Sequence, residues 1–140
     1  MRTLVFIFSL VITTSLFGQE RLTWTTFELL EFEEVFDEAS ATWMQQPVWT
    51  PELQGWDGKE VKITGYVIAL DVDSKEYALS AFPFASCFFC GAAGPESVIE
   101  LNFQEPQKFT TDDVLTFIGT VQLNTDPLKF PVTLLEARPK

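Results

Sequence analysis

Histidine is absent from this chain of 140 residues. Without an imidazole, the chain cannot build a Ser–His or Cys–His nucleophilic pair or use histidine as a general acid or base. Positive charge is scarce as well. Nine Lys and Arg, against 20 Asp and Glu, leave a formal net charge of -11. That balance argues against nucleic acid as a partner, because binding to phosphates depends on basic side chains. Cysteine occurs only twice and glycine 7 times. No internal repeat and no low-complexity linker divides the sequence, so its length fits one compact domain.

Long apolar runs are confined to the first residues. Arg2 precedes a stretch from Leu4 to Phe17 that is interrupted only by Ser and Thr, and Gly18 follows it. One positive charge, a short apolar run and a small residue at its end form the pattern of a secretory signal. Thr13, Thr14 and Ser15 interrupt the run, which is also short for a membrane span. The expectation is a signal peptide at residues 1–18, with Gln19 starting the mature chain. No Cys lies near that point to carry a lipid. The expected product is exported and soluble, periplasmic or extracellular, with no transmembrane segment after cleavage.

The rest of the chain has the means to fold. Hydrophobic residues make up 46% of it, with 14 Phe and 4 Trp, which is far from a disordered composition. Residues 19–54 read as a lead-in segment that packs on a barrel formed by residues 55–140. Within the lead-in, Phe32, Val35, Phe36 and Ala39 recur at helical spacing among Glu31, Glu33, Glu34, Asp37 and Glu38, which predicts a short amphipathic helix. The competing pattern sets Leu30, Phe32, Glu34 and Phe36 on one face of a strand. The acidic run is a solvated face that keeps the protein soluble. Trp24, Trp49 and Trp56 are expected to pack the lead-in onto the barrel, together with Trp43.

From Gly55 onward the sequence reads as β-structure. Asp57-Gly58 marks a turn, and Val61, Ile63, Gly65 and Val67 then alternate on one face of a long strand. Further strands are expected over Glu76–Phe82, Ser97–Phe103, Val114–Leu123 and Phe130–Glu136. Gly65 and Gly119, in the middle of the two long strands, mark sites where a sheet bends. The predicted fold is therefore mostly β: a small five-stranded antiparallel OB-like barrel, preceded by a lead-in that contains a short helix. A two-layer sandwich is the alternative.

One segment carries candidate chemistry. Both cysteines, Cys87 and Cys90, lie at C-x-x-C spacing in a loop bounded by Pro83 and Pro95, with Phe88, Phe89, Gly91 and Gly94 completing the motif. Three readings are open. In an oxidising compartment the pair makes a local disulfide that stiffens the loop. As a redox pair it would exchange disulfides. However, no basic residue lies nearer than Lys75, and the motif sits between strands rather than at a helix start. As a metal site it would bind zinc or Cu(I) through two thiolates, with Asp71, Asp73 and Glu96 as candidate accessory ligands. Asp71-Val72-Asp73 otherwise reads as a hairpin turn, since it lacks the glycine and distal Glu of a calcium loop.

The run Trp49-Thr50-Pro51 through Ile68, the segment Cys87-Phe88-Phe89-Cys90-Gly91 closed by Gly94-Pro95-Glu96-Ser97, and the pattern Phe117-x-Gly119-Thr120-x-x-Leu123-Asn124 resemble a family of small exported bacterial domains of unknown function. The resemblance spans roughly residues 22–137, and it implies an OB-like barrel in the cell envelope without an established activity. Taken together, these readings point to a non-enzymatic binding or accessory module of the envelope, whose partner is an envelope protein or a small ligand. A metal-binding protein using Cys87 and Cys90 is the alternative, and a thiol–disulfide redox protein the second.

Overall fold

The computed structural model describes residues 18–71, 73 and 75–140. Apart from Gly18, the expected signal peptide therefore lies outside the described residues. The elements in chain order are β1 (Glu20–Arg21), β2 (Glu31–Asp37), β3 (Thr42–Val48), α1 (Pro51–Gln54), β4 (Glu60–Asp71), β5 (Glu76–Ser80), β6 (Val98–Leu101), β7 (Val114–Leu123) and β8 (Val132–Pro139). Isolated 3-10 turns fill some of the connections.

The alternation in β4 does what its pattern requires. Val61, Ile63 and Val67 all point into one core, together with Leu79, Ile99, Phe117, Val121 and Leu134 from the other barrel strands. The first half of β4 pairs antiparallel with β7, from Glu60↔Thr120 to Tyr66↔Val114. Its second half pairs antiparallel with β5, from Tyr66↔Ser80 to Asp71↔Glu76. Gly65 sits where this change of partner occurs. A Cβ there would lie 2.5 Å from the Ser80 carbonyl oxygen and 2.9 Å from Leu79 Cγ, so the strand can bend only because that atom is missing. A second irregularity, in the β7–β8 register, falls between Ile118 and Thr120, at Gly119.

Five strands close on themselves in the order β4-β5-β6-β8-β7-β4. Counted along the barrel this is 1-2-3-5-4-1, the five-stranded Greek-key arrangement of an OB barrel. One seam departs from the antiparallel expectation. β6 and β8 run parallel through Glu100↔Thr133 and Leu101↔Leu134, because the long connection after β6 lets β7 cross over before β8 returns.

The lead-in is built into the same core. Leu22, Phe27, Leu30 and Leu53 are buried with the barrel residues, and β1 pairs parallel with the start of β4. The tryptophans fix the docking: Trp24 Nε1 donates to the Thr64 carbonyl at 2.8 Å, and Trp49 Nε1 to the Asn124 carbonyl at 2.9 Å. Trp56 also packs on the core and lies under the Lys59 ammonium, 4.8 Å from the ring centre. Trp43 differs from the other three, being 66% exposed.

The amphipathic helix expected at Phe32, Val35, Phe36 and Ala39 does not form. These residues belong to β2 and the turn after it, and β2 makes an antiparallel hairpin with β3 from Glu31↔Val48 to Asp37↔Thr42. Cross-strand pairs decide the matter. Phe32 faces Pro47, Val35 faces Met44, and Phe36 faces Trp43, with the last two rings edge-on at 5.4 Å. Asp37 closes the turn by accepting the Ser40 N–H at 2.9 Å, and Ala41 takes a left-handed φ of 51°. The helix in the lead-in is instead the single turn α1. Thr50 caps it by accepting the Leu53 N–H, and Pro51 stands at its first position.

Candidate functional site: the dithiol loop and its groove

The connection from β5 to β6 carries the cysteines, and its position follows from how the sheet is buried. On β4, β5 and β6, alternate side chains face outward from the barrel: Ile68, Ala78 and Val98. These three are nonetheless buried, together with Cys87, in a second apolar cluster flanked by Leu70 and Phe130. The loop folds back over the outside of the sheet, and the Cys87 side chain is the plug that holds it there. Its relative exposure is 0%, whereas Cys90 is exposed.

Short backbone bonds shape the loop. Phe84 N–H donates to Asp112 Oδ1 at 2.7 Å, which ties the loop to the turn before β7. Phe84–Ser86 and Phe88–Cys90 are each one 3-10 turn. Cys90 N–H donates to the Cys87 carbonyl at 3.2 Å, and Gly91 N–H to the Phe88 carbonyl at 2.9 Å. Gly91 ends the second turn with a φ of 73°, a conformation that favours glycine. Ser97 Oγ and N–H both donate to the Gly94 carbonyl, at 2.6 and 3.1 Å, and so close the loop onto β6.

The two sulfurs converge on one atom. Cys87 Sγ donates to the Phe84 carbonyl at 3.1 Å, and Cys90 Sγ donates to the same oxygen at 2.7 Å. Loss of hydration, and next the adjoining Cys87 sulfur, push the Cys90 thiol above its ordinary range. No cation offsets this from within the loop, since the sequence has no Lys or Arg between Lys75 and Lys108. Cys90 therefore stays a protonated thiol at neutral pH.

Among the described residues, the carboxylates proposed as accessory ligands are not grouped with the two sulfurs. Asp71 and Asp73 belong to the β4–β5 turn, where Asp73 N–H donates to Asp71 Oδ1 at 2.8 Å. The Glu96 carboxylate fills the space beside Gly94. Among the described residues, no group of three or more His, Cys, Asp or Glu side chains is placed to hold a metal ion. The pair Cys87 and Cys90 is thus the whole of the soft-donor set that the geometry brings together.

Phe88 and Phe89 serve the surface beside the sulfurs. Their rings meet edge-on at 5.5 Å, and Phe89 leans on Phe130 at 6.1 Å. Phe82, Phe84, Phe88 and Phe89 are each more than a third exposed, a concentration of apolar surface that marks contact sites. Next to them runs a groove of about 400 Å³. Its walls come from three segments distant in sequence: Phe32, Met44 and Pro47 of the hairpin, Phe88 and Pro95 of the dithiol loop, and Leu128 and Phe130 of the β7–β8 connection.

Asn124 anchors that third wall. Its side-chain amide donates to the Phe130 carbonyl at 2.8 Å and to Thr133 Oγ1 at 3.0 Å. The sequence singles out Phe88 and Pro95 among the groove residues and misses the others. Leu128, 73% exposed between Pro127 and Pro131, is the one signal that points to this wall. The Phe84 carbonyl that gathers the sulfurs has no signal at all, because any residue supplies a carbonyl.

Comparison with known proteins supports the architecture. No family model matches the chain, and no curated protein matches it. Among solved structures, it is similar to the crystal structure of a DUF3299 family protein from Pseudomonas aeruginosa PAO1. The TM-score is 0.54 at 13% identity, covering 88% of this chain and 97% of that one. At that identity the likeness is one of fold: the mostly-β chain with a closed barrel is shared with a protein from a family of unknown function.

Proposed function

We propose that the protein is an exported module of the bacterial cell envelope that acts by binding rather than catalysis, with the groove beside the dithiol loop as its working surface. The observation that carries this reading is the groove itself, an apolar trough of about 400 Å³ walled by three separate segments. Concave, mostly apolar surfaces with a few polar groups at the rim are where proteins hold ligands and partner segments. The leader pattern before Gln19 and the resemblance to small exported OB-like domains support the compartment. The strong negative charge supports a protein or small-molecule partner over nucleic acid.

The test places a photo-crosslinking residue at Leu128, on the groove wall, or at Val114, exposed on β7 and outside the groove. Both proteins are expressed with their leaders, and the fractionated cells are irradiated. The expected result is a mature chain starting at Gln19 in the exported fraction, with a discrete crosslinked product from Leu128 alone. That product should be lost on Met44→Glu and retained in a Cys90→Ser protein, whose substituted side chain is exposed. Equal crosslinking from both positions would refute the groove, and an uncleaved product in the cytosol would refute export.

A further inference from the structure

The groove accounts for Phe88 and Leu128 but leaves the two sulfurs without a task. Three features of their arrangement bear on what they can do. First, the Cys90 N–H to Cys87 carbonyl bond at 3.2 Å closes a turn whose first and last Cα atoms lie within about 7 Å, the spacing a disulfide accepts. Second, both thiols point at one oxygen, so the sulfurs are already neighbours. Third, their exposure is opposite: Cys87 is fully buried and Cys90 is open to solvent. Only one of the two can be reached by another molecule.

We infer that Cys87 and Cys90 form a thiol–disulfide exchange site in which Cys90 is the entry sulfur and Cys87 the resolving one, with accessible disulfides as the substrate class. In the forward direction Cys90 loses its proton to solvent, and its sulfur attacks one sulfur of a disulfide R–S–S–R. The substrate S–S bond breaks, one RS⁻ leaves and a mixed Cys90–S–S–R forms. Cys87 Sγ, deprotonated in turn, attacks the Cys90 sulfur and expels the second RS⁻. Two electrons pass from the dithiol to the substrate, which takes up the two protons as two RSH, and the Cys87–Cys90 disulfide remains.

The fold tolerates both states. When the two S–H donors disappear, the Phe84 carbonyl still accepts the Cys87 N–H at 3.4 Å, so oxidation leaves no orphaned acceptor beneath the loop. Because nothing on the loop stabilises a thiolate, the direction favoured is oxidation of the dithiol. A pair whose reduced form lacks thiolate stabilisation is the weaker oxidant of two otherwise similar disulfides. This site does not depend on the groove having an occupant, and its test makes no use of one.

The experiment uses the mature protein, reduced, freed of reductant without oxygen, and mixed with glutathione disulfide at pH 8.5. Samples are quenched in acid and weighed intact. The wild type is expected to lose the two thiol hydrogens and release two glutathiones per chain, with an adduct seen only at early times. Cys87→Ser, and Cys87→Ala as the better-packed replacement, should accumulate one glutathione on Cys90. Cys90→Ser should react at least tenfold more slowly.

Dithiothreitol should then reopen the wild-type ring while the far-ultraviolet circular dichroism stays native. Equal rates for the two single-cysteine proteins would overturn the assignment of roles. A ring that opens only after unfolding would overturn exchange in favour of a structural disulfide. A stoichiometric metal ion on the purified protein, blocking oxidation of both thiols, would overturn it in favour of a metal site.

Discussion

Phe27→Ala tests whether the lead-in is part of the fold or a detachable cover. Phe27 is 1% exposed and shares its core with Val61, Ile63 and Phe117, so truncation leaves a cavity between the lead-in and the barrel. A buried Phe→Ala change costs about 3–5 kcal/mol through lost transfer energy and the residual void. The whole domain is held by only about 5–15 kcal/mol. With a urea slope of ~2 kcal/mol per molar, the unfolding midpoint should fall by about 2 M.

The placement of the tryptophans makes the assay discriminating. Trp24, Trp43 and Trp49 lie in the lead-in and Trp56 just after it, so fluorescence follows the lead-in and circular dichroism follows the barrel. If the two share one core, both signals should move together to the same lower midpoint, as two-state unfolding requires. A fluorescence transition that drops while the dichroism transition stays put would refute the reasoning. The lead-in would then melt on its own.

Gly65→Ala should destabilise the protein by about 1–3 kcal/mol, because the new methyl has the Ser80 carbonyl in its path; a stability loss under about half a kcal/mol in urea unfolding would contradict the bend. Alkylation of the reduced native protein should modify Cys90 and spare Cys87, as peptide mapping will report. The rate should rise with pH and level off later than that of an unperturbed thiol peptide, because the thiolate is the reactive form and the Cys90 thiol lies above its ordinary range. The Glu60 carboxyl is held below its ordinary value by the Arg138 Nη2 hydrogen bond at 3.0 Å and, next, by Gln19. Its favourable term is therefore fully present above the unfolded carboxylate range and lost as pH falls through the folded value. Arg138→Met should move the Glu60 titration upward in a carboxyl carbon NMR experiment, and an unmoved titration would show that the ion pair has no part in it.

How much of this was legible beforehand varied with the range of the forces involved. The barrel was readable because alternation along β4 and β7 is local, and because Gly65 and Gly119 mark the irregular positions directly. The five expected strands recur in order, with ends displaced by a few residues: the second stops at Ser80, and the last begins at Val132. The hairpin was misread because Phe32, Val35, Phe36 and Ala39 satisfy a helical period as well as part of a strand. The tie is broken only by residues 42–48, whose Gln45-Gln46-Pro47 does not advertise a strand.

The cysteines stood out by spacing, and their loop was placed correctly between two strands. Their opposite burial could not be foreseen, since it depends on Ile68, Ala78 and Val98 offering an outer face for Cys87 to cover. The groove was illegible for the same reason. Its walls meet only after the barrel has closed.

That closure bears on self-association. Each barrel strand has a hydrogen-bonded neighbour on both sides, so the described residues offer a foreign strand no vacancy there. In the hairpin, β2 and β3 pair only with each other, which leaves their outer backbone groups open to strand addition. Glu31, Glu33 and Glu34 sit exposed on one of those strands, and a second copy approaching edge to edge would meet the same charges. Salt screens that repulsion. Fibres or strand-swapped dimers of this protein should therefore start at the hairpin and appear first at high ionic strength.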